Sequence, residues 1–91
     1  MITPKQLAEK AKVGQVYREY RDGIKTRFFI HVLTSNSHPE GMTFWRAISE
    51  KEYTPNIGWS YQMGFGAILN MKLELVFPKK KYPQRKGLTF N

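Results

Sequence analysis

A chain of 91 residues with no cysteine and a formal charge of +8 has room for a modest hydrophobic core and excludes both a disulfide framework and a thiolate metal site. No stretch approaches the roughly 18 apolar residues of a membrane span, and the start Met1-Ile2-Thr3-Pro4-Lys5 lacks the apolar run of a signal peptide. The expectation is a cytoplasmic protein in a reducing compartment, off the membrane, whose partners are polyanions or an acidic protein face.

Thr3, Pro4 and Gln6 have the form of a helix start: Thr3 as N-cap, Pro4 where its missing N–H costs nothing, Gln6 closing a capping box. Ile2 and Leu7 stand where a hydrophobic staple sits, and the helix should stop before Gly14 and lie as a lid over one opening of a sheet. From Val13 the period changes to two, with Val13, Gln15, Tyr17 and Glu19 on one side and Val16, Arg18 and Tyr20 on the other. Asp22-Gly23 signals a two-residue hairpin, because both central positions of a type I′ turn need positive φ. The return strand runs over Lys25 to Leu33.

Residues 34–41 read as a turn region from their Ser, Asn, Pro and Gly content. In the next strand Met42, Phe44, Arg46 and Ile48 alternate with Thr43, Trp45, Ala47 and Ser49, so both of its faces carry apolar groups and at least one end should be covered on both sides. Residues 50–67 have no clean period. The last strand shows Leu69, Met71, Leu73, Leu75 and Phe77 on one face against Asn70, Lys72 and Glu74, and Pro78 ends it.

One short helix followed by four or five strands in a meander predicts a mainly β fold, either a small SH3-like antiparallel barrel or a strongly curved meander sheet. Lys12-Val13-Gly14-Gln15-Val16-Tyr17 resembles the opening strand of many such barrels, over six residues and for fold alone. The expected organisation is one domain over 1–78 and a basic, flexible tail over 79–91. That tail holds Lys79, Lys80, Lys81, Arg85 and Lys86 with no acid, whereas residues 1–77 hold ten bases and seven acids.

Three features carry chemistry. The tail, with Tyr82 among its bases, has the composition that neutralises phosphates and releases counterions; such a run equally serves as a solubilising tail. The segment Ile57 to Gly66 sets Trp59, Tyr61 and Phe65 among glycines, so its rings either stack on bases or fill a core short of large aliphatics. Arg18, Arg27 and Arg46 add phosphate or cation–π contacts if they share a face. Third, His31 with His38, Glu40 and Glu52 forms a conceivable acid–base set for RNA cleavage, although nothing in the spacing fixes their geometry.

No phosphate-binding loop, dinucleotide fingerprint, nucleophile elbow or spaced carboxylate pair is present, so no cofactor is expected. The leading expectation is a small, basic, non-enzymatic nucleic-acid-associated binding protein for DNA or RNA, with weak sequence preference. It uses Lys79, Lys80, Lys81, Tyr82, Arg85, Lys86, Arg18, Arg27, Arg46, Trp59, Tyr61 and Phe65 as contacts. A second is a protein-interaction module or inhibitor on an acidic surface of a larger enzyme, which resembles small phage accessory proteins. A third is a small barrel-type toxin ribonuclease. Strand edges leave both a monomer and a homodimer open.

Overall fold

The computed structural model describes residues 1–48 and 61–78, and of Tyr61 the backbone alone. Helix α1 spans Pro4–Lys10 and starts as its sequence dictates: Gln6 N–H donates to the Thr3 hydroxyl at 3.2 Å, and Thr3 N–H donates back to Gln6 Oε1 at 2.8 Å. With seven residues the helix is too short to stand alone, and its stability comes from the fully buried Leu7. Ile2 ties it down, exchanging two backbone hydrogen bonds of 2.8 and 3.0 Å with Leu73.

Among the described residues five strands follow: β1 Val16–Arg21, β2 Ile24–Thr34, β3 Thr43–Ala47, β4 Tyr61–Gly64 and β5 Lys72–Phe77. They form one antiparallel sheet in the order β4-β3-β2-β1-β5, a four-strand meander whose fifth strand returns beside the first. The sheet is open, with β4 and β5 at its two edges. The mostly β expectation holds, and of its two forms the meander sheet describes the molecule better than a closed barrel.

Several boundaries differ from the sequence reading. β1 begins at Val16 because Gly14 turns the chain at φ 95° and gives its N–H to the Val32 carbonyl, leaving Val13 exposed. The aperiodic segment hides β4 and a 3-10 turn at Phe65–Ile68, each of four residues and too short to show a period. The last strand starts at Lys72: Leu69 sits in the turn before it and is 59% exposed, so the five-residue apolar face is broken. One extra residue in β5, between the pairs Val16↔Phe77 and Tyr17↔Leu75, is a β-bulge that moves Phe77 to the face opposite Leu75.

The core lies on one face of the sheet, where Tyr17, Ile30, Val32, Phe44, Met63 and Leu73 meet Leu7 of α1 and Ile68 of the 3-10 turn. The opposite face is buried too at its centre: Val16, His31 and Trp45 are in register across β1, β2 and β3, and all three are inaccessible. β3 is thus covered on both sides, as its two-faced apolar pattern required. No helix among the described residues is long and apolar enough to cross a membrane.

Candidate functional site

The β1–β2 hairpin turns at Asp22-Gly23, with φ of 52° and 77°, the type I′ geometry its sequence calls for. Its register is regular at the tip, Arg21↔Ile24 and Tyr20↔Lys25, and again from Arg18↔Phe29 inward. Between these pairs Thr26, Arg27 and Phe28 of β2 stand opposite Glu19 alone, a bulge with two surplus residues. Thr26 satisfies the backbone there: its hydroxyl donates to the Glu19 carbonyl and accepts from Phe28 N–H, both at 3.2 Å.

The bulge organises the charges. Arg18 donates Nε to the Thr26 carbonyl at 2.6 Å, which holds its guanidinium 4.7 Å from the centre of the Phe29 ring. Phe28 lies under two other arginines, Arg46 at 3.7 Å and Arg27 at 5.4 Å. Arg46 also binds Glu19 with two prongs, Nε to Oε2 at 2.6 Å and Nη2 to Oε1 at 2.8 Å, and Arg21 adds Nε to Oε1 at 3.0 Å. Glu19 is completely buried. Burial by itself raises its carboxyl, but the hydrogen bonds and charges of Arg46 and then Arg21 outweigh that and hold it below the ordinary glutamate range.

The result is a hairpin whose buried acid is neutralised by Arg46 of β3 and by Arg21, and whose exposed bases outnumber its one exposed acid, Asp22. Arg21, Lys25 and Arg27 are exposed, Arg18 is half-buried, and Lys72 of β5 extends the row beside Tyr20. Tyr20 is anchored through its hydroxyl to Glu74 at 3.1 Å. Ile24 at the tip is 70% exposed, a large apolar side chain set among bases.

The sequence-derived candidates fare unevenly. Arg18 and Arg27 of the hairpin and Arg46 of β3 do gather, but around two rings and not on one face: Arg46 on Phe28 toward Glu19, Arg18 on Phe29 across the sheet. Arg46 is engaged with the buried Glu19 carboxylate, which Arg21 also meets. Phe65 packs against the core. Trp59, the side chain of Tyr61, Lys79, Lys80, Lys81, Tyr82, Arg85 and Lys86 lie outside the described residues. His31 and His38 are not brought together: His31 is buried mid-strand between Val16 and Trp45, whereas His38 sits in the turn after β2, its Nδ1 accepting from Glu40 N–H. Glu52 lies outside the described residues.

Sequence reasoning missed Arg21, Lys25, Ile24 and Lys72. Their signal was present, since an Asp-Gly turn flanked within a few residues by Arg18, Arg21, Lys25 and Arg27 concentrates bases on one ribbon. Elsewhere, a shallow open hollow of about 450 Å³ between α1 and the turn after β2 is lined by Ala8, Glu9, Ala11, Ser35, Asn36 and Ser37, a set with no base. Comparison with protein-family models, curated proteins and solved structures found no match for this chain.

Proposed function

We propose that this protein binds nucleic acid through the outer half of the β1–β2 hairpin. The observation that carries this reading is the gathering of Arg18, Arg21, Lys25 and Arg27 on the hairpin, with Lys72 of β5 beside Tyr20, against one exposed hairpin acid, Asp22, and a buried Glu19 already paired with Arg46 and Arg21. Phosphate oxygens are the ligands such a surface recognises, and neutralising them releases counterions. The basic run from Lys79 to Lys86 adds a second, sequence-independent contribution of the same kind. A chain without cysteine suits the reducing interior of a cell, where nucleic acid is the most abundant polyanion.

The test is fluorescence anisotropy of labelled DNA and RNA at several salt concentrations. Each phosphate contact contributes about 0.7 to 0.9 to the slope of log K against log salt. Replacing Arg21, Lys25 and Arg27 together by alanine therefore lowers the slope by about 2 to 3, with a further drop when Lys79, Lys80 and Lys81 become glutamine. A slope that ignores the hairpin substitutions refutes the assignment of the site.

A second reading, as a protein-interaction module, has one specific observation behind it. β5 is an edge strand on which Ile2 takes both outward peptide groups of Leu73, and the next outward position belongs to Leu75, 46% exposed with no described strand beside it. Capture of a specific protein from nuclease-treated lysate, lost on Leu75→Pro, would favour it.

A further inference from the structure

We infer that the face of the sheet opposite the core is the docking face of the chain's own C-terminal segment, residues 79–91. Its side chains are buried although no described element lies over them. Val16, His31 and Trp45 stand side by side there, in register across β1, β2 and β3, and are 0%, 1% and 3% exposed. Ala47, two positions along β3 and on the same side, is buried as well. Side chains stand roughly perpendicular to a sheet, so the Trp45 indole rises above its neighbours His31, Gln62, Thr43 and Ala47, all smaller than itself. Lateral neighbours leave the outer edge of such a ring in water, and burying it takes a layer on top. Among the described residues α1 and the 3-10 turn do not supply that layer, because Leu7 and Ile68 pack with Tyr17, Ile30 and Phe44 on the other face.

The pattern of burial chooses between the two segments that lie outside the described residues. Residues 49–60 join β3 to β4, and a cover made by them would fall on those two strands first. Yet Gln62, the partner of Trp45 on β4, is exposed. At the other end of the row Phe77 is half-buried and shares the face of Val16, because the β5 bulge turns it there. Residues 79–91 therefore leave the sheet beside the first member of the buried row. From β5 to β3 is three strand spacings, about 14 Å, which about five extended residues span. Tyr82, Leu88 and Phe90 supply the apolar surface, while the stems of the lysines and arginines between them lie along the face with their charges in water. Docked in this way, the segment carries its bases onto the face that also bears Arg18 and Lys72.

The experiment is an isotope-edited NOE spectrum of the full chain, read at the Val16 methyl groups and the Trp45 indole. The expected result is NOEs to Tyr82, Leu88 or Phe90. NOEs to residues 49–60 in their place, or to described residues alone, overturn the inference. So do NOEs to the C-terminal segment that arise only between labelled and unlabelled copies in a mixed sample.

A second measurement uses the full chain carrying Tyr82→Ser, Leu88→Ser and Phe90→Ser, with Trp59→Phe so that Trp45 alone fluoresces. Acrylamide quenching of Trp45 rises severalfold relative to Trp59→Phe alone, while the amide shifts of Ile30 and Phe44 on the core face stay in place. Unchanged quenching overturns the inference. The NOE spectrum, taken on the unaltered chain, decides by itself should the serine variant not fold. Neither measurement involves nucleic acid, so failure here leaves the proposed function standing.

Discussion

At the scale of single residues, Glu19 decides most. A carboxylate with no exposure is unstable unless its charge is met, and here three hydrogen bonds from Arg46 and Arg21 meet it. Removing one partner of such a buried pair is costly. Glu19→Gln should lower the unfolding free energy at neutral pH by about 3 kcal/mol, read from urea denaturation. Because the folded-state pKa of Glu19 is depressed, its contribution is fully present above the unfolded value of about 4.3 and is lost as pH falls through the lower folded value. The gap between the native protein and Glu19→Gln should therefore narrow as the solution is acidified below pH 4.3 or so. A gap that stays constant to pH 2 or thereabouts would show that the fold does not lower the pKa of Glu19. The alternation of β1 places Glu19 beside Tyr17 on the core side, and that much is legible in the sequence. Its burial is not, because Arg46 lies 27 positions away and only the sheet register brings them together.

At the scale of elements, local chemistry and tertiary register contribute in different measure. The capping box of α1 and the Asp22-Gly23 turn are read directly from short sequences, because each depends on atoms within three residues. Gly23 has open space where a Cβ would sit, so its only constraint is the left-handed backbone. Gly23→Ala should cost about 1 kcal/mol and lower Tm by about 4–8 °C, with Gly23→Asn costing less. An unchanged melting temperature for Gly23→Ala would mean that the turn is not the type I′ form. The bulge at Thr26 to Phe28 escaped the sequence reading, since a strand with surplus residues keeps the same composition as one without. Yet that bulge sets Arg27, Phe28 and Arg46 in their places, so the site depends on the feature hardest to see. The same holds for β5, where the surplus residue before Phe77 breaks the simple two-residue period.

At the scale of the whole molecule, charge and burial are separated. The buried residues cluster on the two faces of the sheet around β2 and β3, whereas the exposed bases of β1, β2 and Lys72 collect toward the hairpin tip. The net charge and the consecutive lysines after Pro78, which lie outside the described residues, are legible in one dimension. The hairpin bases are spaced by the two-residue period and by the turn, and become a cluster only when the strands pair. The half-buried rings of Phe28 and Phe29 each lie against an arginine, Arg46 and Arg18 respectively. The measurement that bears most directly on this account is a titration of ¹⁵N-labelled protein with a short DNA duplex, followed by amide chemical shifts. The account predicts that the perturbed amides run from Tyr20 to Phe28 and include Lys72, while those of α1 and of the turn after β2 stay fixed. Perturbations centred on α1, on that turn or on the outer edge of β5, with the hairpin silent, would contradict it.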